Sequence, residues 1–152
     1  MFDLYTILKF AHVLLAIIAV GFNASYGVWL ARAARNPEHE GFTLAGVKVL
    51  DDRFANPAYG LLLLTGLLMV WVGEVELTTF WILAGLVLYA VVVLLGLLVY
   101  TPTLRRQREL LETGGHHSPE YRRLAKRGTT IGIALAVVVV VIVFLMVTKP
   151  TL

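Results

Sequence analysis

One imidazole in this sequence sits where an imidazole is expensive to place. His12 lies in a run that begins at Phe10 and meets no charge until Arg32. A neutral imidazole there can ligate a metal or haem iron, or relay a proton. His12, Ala16, Ala19, Asn23 and Gly27 follow one another at steps of four, three, four and four, so they share one face of a helix. A second stripe, Gly85, Tyr89, Gly96 and Tyr100, carries two phenols. Counted from the ends of their runs, His12 and Thr65 each stand about eight residues in, and Tyr89 about one turn deeper. The candidate cofactor-binding set is therefore His12, Asn23, Thr65 and Tyr89. Met69 and Met146 fall toward the same ends of their runs. With His12 they would offer soft ligands to Cu(I), or a Met/His pair to haem iron. The other reading of His12 is structural, with its ring hydrogen-bonded to Thr65, Tyr89 or a backbone carbonyl, and methionine is also an ordinary packing residue.

The elements that must hold these residues are long and apolar. Of the 152 residues 59% are hydrophobic and 15% charged, against roughly 25% charge in a soluble domain. Phe54–Gly73, Leu77–Leu104 and Gly128–Thr148 carry no charge at all. A helix crosses the ~30 Å hydrocarbon slab with about 20 apolar residues. Barrel strands would alternate with polar lumen positions, and these runs do not. The expected fold is an all-α membrane protein, an antiparallel bundle of four transmembrane helices in one domain over 1–152. Its spans cover about 4–33, 54–73, 77–102 and 128–148, with helical connections at 34–53 and 103–127.

Charge gives the direction of insertion. Arg32, Arg35, Lys48 and Arg53 follow the first run, and Arg105, Arg106, Arg108, Arg122, Arg123, Lys126 and Arg127 follow the third. These are eleven of the thirteen basic residues, while the turn between the second and third runs has Glu74 and Glu76 and no base. The positive-inside rule places both long connections in the cytoplasm and both termini outside, N-out and C-out. The basic third connection is also a surface for anionic lipids. Within it, Gly114–Gly115 reads as a helix stop and Ser118-Pro119-Glu120 as a helix start. In the first connection, Leu44, Val47, Leu50 and Phe54 predict an amphipathic helix leading into Asn56-Pro57, where the proline marks a start or a kink.

Several classes of function find no residues. With no cysteine there is no disulfide, thiolate site or thiol nucleophile. The N-terminus lacks the basic leader and cleavage site of a removed signal. No nucleophile elbow, phosphate loop, zinc signature or dinucleotide fingerprint occurs, so no catalytic residues are assigned. The net charge of +3 follows the topology and does not point to nucleic acid. His39, His116 and His117 belong to the connections, where a solvated histidine is the ordinary case.

Lys9-Phe10-Ala11-His12-Val13-Leu14-Leu15, Arg53-Phe54-Ala55-Asn56-Pro57 ahead of Thr65-Gly66, and Met146-Val147-Thr148-Lys149-Pro150 resemble the bacterial DUF2269 family of integral membrane proteins over nearly the whole chain. That family is similar in layout to a wider group holding the copper-resistance CopD membrane domain and the HemJ protoporphyrinogen oxidases. Members share a Lys-x-x-His start, here Lys9 and His12, and in the HemJ type the histidine is linked to haem. Gly21-Phe22-Asn23-Ala24-Ser25 replaces the Pro-Arg-Leu segment of that type, so the oxidase activity does not carry over. The resemblance implies a bacterial inner-membrane protein with haem b, or less directly copper, at His12. With His12 the only histidine within the spans of one protomer, a bis-histidine haem requires a homodimer. The alternatives are an assembly subunit binding other membrane subunits through its small-residue faces, and a copper-handling, transporter-like module.

Overall fold

The computed structural model describes residues 3–33, 35–114 and 118–151, and every regular element among them is a helix. In chain order these are α1 (Leu4–Ala33), α2 (Pro37–Leu50), α3 (Asn56–Val72), α4 (Phe80–Leu95), α5 (Thr101–Glu112) and α6 (Pro119–Thr148). Short π-helical turns join α2 to α3 at Asp51–Ala55 and α4 to α5 at Gly96–Tyr100. The continuous helices Leu4–Ala33, Glu38–Val72, Phe80–Glu112 and Pro119–Thr148 are each long and apolar enough to cross a membrane. Large apolar side chains such as Ile17, Trp71, Val140 and Phe144 are exposed. In water such surface would drive association; lipid tails are a fitting solvent for it.

The chain divides into two compact units, residues 1–79 and 80–152. In the first, α1 lies along the helix made of α2 and α3, and contacts run in reverse chain order. Tyr5 meets Gly73 and His12 meets Gly66, Asn23 meets Tyr59, and the rings of Phe22 and Phe54 tilt together at 5.4 Å. Its buried positions on α1 are Ala19, Tyr26 and Ala33, spaced by seven. Steps of four alone would overshoot the 3.6-residue turn, so the buried face passes through Tyr26. Gly27, expected on that face, has open space where a Cβ would stand. At the start of α1 the Asp3 carboxylate accepts from the Thr6 N–H at 2.9 Å. Hydrogen bonds from the Thr6 hydroxyl and amide hold the Asp3 carboxyl below its ordinary value. The stability this cap adds is thus present at neutral pH and lost as the pH falls through the lowered pKa.

In the second unit α6 lies along α4 and α5. Lys149 stands 5.1 Å from the centre of the Trp81 ring, Gly85 receives the methyl of Met146, Gly132 faces Tyr100, and Gly128 faces Thr103 and Leu104. Gly128 and Gly132 are four residues apart, the spacing that lets two helices approach closely. Ser118 caps α6, its hydroxyl accepting from Tyr121 N–H at 3.1 Å, with Pro119 in the first turn. α5 ends at Glu112, followed by Gly114 at φ 78°; Gly115, His116 and His117 lie outside the described residues. The expected connection helices are extensions of the spans themselves: α5 continues α4, and α6 runs unbroken from Pro119 to Thr148.

Both π turns precede a proline. The N–H of Asn56, before Pro57, bonds to Asp51 O, and that of Thr101, before Pro102, bonds to Gly96 O. A proline inside an α-helix lacks a donor and presses its ring on the carbonyl four residues back. Widening the turn to five-residue bonds relieves that clash and keeps the helix continuous. Pro57 therefore stands in the first turn of α3 without interrupting the continuous helix Glu38–Val72.

Where α5 meets α6, Gln107 Nε2 donates to the Tyr121 hydroxyl at 3.0 Å, both groups buried. Tyr121→Phe should strand that amide at a cost of about 1–3 kcal/mol, lowering the thermal unfolding midpoint in detergent. Adding Gln107→Leu to Tyr121→Phe should recover part of the loss, because no buried donor is then left unpaired.

Candidate functional site

His12 and Thr65 come together in the first unit. Nδ1 of His12 is 2.9 Å from the Thr65 hydroxyl. The Thr65 hydroxyl also lies 2.8 Å from the Leu61 carbonyl and 3.1 Å from the Leu62 carbonyl. When the hydroxyl proton goes to one of those carbonyls, the hydroxyl oxygen accepts from His12, which puts the imidazole proton on Nδ1 and leaves a lone pair on Nε2; the opposite tautomer would instead take the hydroxyl proton at Nδ1. A histidine whose second nitrogen is fixed by a hydrogen bond is the form that ligates metals or accepts a proton at Nε2.

Gly66 makes the approach possible. A Cβ at residue 66 would come within 3.2 Å of His12 Cε1, so any larger residue must move the ring. Thr65-Gly66 thus supplies a hydrogen-bond acceptor and a flat bed in two consecutive residues. His12 is half-buried.

Asn23 is three turns along α1 from His12 and serves a different contact. Its Nδ2 donates to the Ala19 carbonyl at 3.0 Å and to the Tyr59 hydroxyl at 2.9 Å. Asn23 and His12 each tie α1 to α3, and no bond joins them to one another. Tyr59 is the partner that sequence reasoning missed; a phenol three residues after Asn56 gave the only signal. Met69 stands one turn beyond Thr65 on α3. Tyr89 on α4 and Met146 on α6 belong to the second unit. The Met146 methyl is seated on Gly85, which occupies it in packing. Among the described residues no three or more His, Cys, Asp or Glu are grouped to hold a metal ion. His39 falls on α2, exposed, 3.5 Å from Glu38. The Gly128/Gly132 pair was legible as a small-x-x-x-small motif at the start of the fourth run and was overlooked there.

The family model described as "predicted integral membrane protein (DUF2269)" matches residues 6–150. The chain belongs to the DUF2269 family. That match spans His12, Thr65, Gly66 and both π turns. No functionally curated protein and no solved structure matches this DUF2269 chain.

The tautomer has a direct check. In ¹⁵N spectra of histidine-labelled protein, His12 should show a protonated Nδ1 and an unprotonated Nε2. Thr65→Val, which keeps the shape and removes the acceptor, should shift that ring toward the opposite tautomer or a mixture. An unchanged His12 spectrum in Thr65→Val would show that the hydroxyl does not set the proton.

Proposed function

We propose that this protein is a cofactor-binding membrane module centred on His12, with haem b as the cofactor and electron transfer as its use. The supporting observation is the Thr65–His12 hydrogen bond on the Gly66 bed, which orients a lone-pair-bearing Nε2. A purely structural histidine needs one good partner; here the partner fixes the tautomer that an axial ligand requires. His12 would hold the iron, Thr65 would set its tautomer, and the haem would supply the redox chemistry. In this reading two copies of His12 meet in a homodimer. The four helices form an antiparallel bundle in a bacterial inner membrane, N-out and C-out, with the basic connections toward the cytoplasm and its anionic lipids.

A second reading is an assembly subunit. It is favoured by Gly27 and Gly96, where a Cβ would meet nothing within 4 Å, leaving small residues available to neighbouring helices. A copper-handling module has weaker support, because Met146 is engaged with Gly85.

The haem reading predicts a Soret band in protein purified from haem-replete cells, lost in His12→Ala and weakened in Thr65→Val. Folded, haem-supplied protein without visible absorbance would overturn it, and metal analysis of the same sample separates haem iron from copper. The orientation is tested in the cysteine-free background. Glu76→Cys should react with an impermeant maleimide on intact cells, and Glu112→Cys only after the membrane is opened. The opposite pattern would invert the topology.

A further inference from the structure

Six of the eight basic residues of the second unit fall into two chemically different sets. Those on α5 are neutralised by carboxylates. Arg105 pairs with Glu109 at 3.5 Å, Arg106 with Glu109 at 3.3 Å and Glu120 at 3.1 Å, and Arg108 with Glu112 at 2.8 Å. Arg123, Lys126 and Arg127 on α6 have no ion pair among the described residues. These three line a groove of about 510 Å³ with Thr130, Val99 and Ile131. No acidic side chain lines it. Its lining surface is mostly apolar, with Val99 in the π turn and Ile131 on α6 beside the stems of the three bases.

Depth identifies what meets this groove. The uncharged run of α6 from Gly128 to Thr148 is about 31 Å long at ~1.5 Å per residue, the thickness of the hydrocarbon slab. Lys126 and Arg127 therefore stand at its edge and Arg123 one turn beyond, at the level of lipid phosphates. Val99 and Ile131 point the apolar side of the groove toward acyl chains.

We propose that this groove binds the phosphate headgroup of an anionic phospholipid, with Arg123, Lys126 and Arg127 as its charge partners. Thr130 lines the same groove one turn along, with its hydroxyl proton given to the Lys126 carbonyl at 3.0 Å. The inference rests on the membrane-spanning helices and is independent of the His12 reading.

The test compares two full-length variants that each remove three positive charges. Detergent-solubilised protein is titrated with phosphatidylglycerol or phosphatidylcholine, and bound lipid is counted by native mass spectrometry. The wild type should prefer phosphatidylglycerol. Arg123→Gln/Lys126→Gln/Arg127→Gln should weaken that binding at least about tenfold, since bases near an anionic surface each contribute substantially. Arg105→Gln/Arg106→Gln/Arg108→Gln should change it less than about threefold, because those charges are already compensated. A charge-retaining Arg123→Lys/Arg127→Lys variant should bind near wild type, which separates loss of the site from loss of the fold. Equal losses in the two triple variants would overturn the proposal in favour of net charge. Equal affinity for the two lipids, or full competition by soluble glycerol phosphate, would overturn it as a lipid site.

Discussion

A peptide group in hydrocarbon has no water to bond to, and each one left unpaired costs several kcal/mol. Every local choice in this chain answers that constraint. The four apolar runs are helices because helices pair their own backbone. The two internal prolines are tolerated because a π turn precedes each and moves the bonding by one residue. Threonine hydroxyls inside helices bond back to carbonyls one turn earlier: Thr65 to Leu61, Thr103 to Val99, Thr129 to Ala125 and Thr130 to Lys126. Thr103, Thr129 and Thr130 bond in this way within their own helix, while Thr65 also meets His12.

His12 and Asn23 cannot satisfy themselves in this way, and that is why they join helices. Asn23 spends one amide proton on its own helix and the other on Tyr59. His12 reaches Thr65, whose hydroxyl also lies within bonding distance of two carbonyls of its own helix. The two contacts tie α1 to α3 at separate levels, and small residues, Gly66 under the imidazole and Ala58 near Tyr59, let the helices come close. The same contact that ties α1 to α3 thus also orients the imidazole ring.

Much of this could be read from residue order. The spans follow from charge-free length, the start of α6 from Ser118-Pro119, and the pairing of His12 with Thr65 from counting residues inward from the run ends. What escaped reading depended on geometry beyond a single helix. The seven-residue recurrence that buries Tyr26 in place of Gly27 comes from two helices running together. The π turns depend on how a strained carbonyl relaxes, and Asn56-Pro57 and Thr101-Pro102 signalled a disturbance without saying that the helix would continue. The difference between compensated and uncompensated arginines needed Glu109, Glu112 and Glu120 to be placed in space, because in the sequence all seven bases of that connection look alike.

The π turns also divide two of the long helices, Glu38–Val72 and Phe80–Glu112, into two independently phased pieces. Relative to α geometry such a turn takes up one extra residue, about 100° of azimuth. Both sit close to the same number of residues from the turn that joins the two units, since 17 residues of α3 follow one and 16 of α4 precede the other. The segment in lipid and the basic segment beyond it are thus rotated by a fixed offset. The direction in which α2 presents Phe42, or α5 presents Gln107, is not dictated by the face that α3 or α4 turns to its partner. A lineage could change the length of either turn by one residue and re-aim the whole exterior arm. The membrane-spanning part, with its half-buried imidazole, would keep its register.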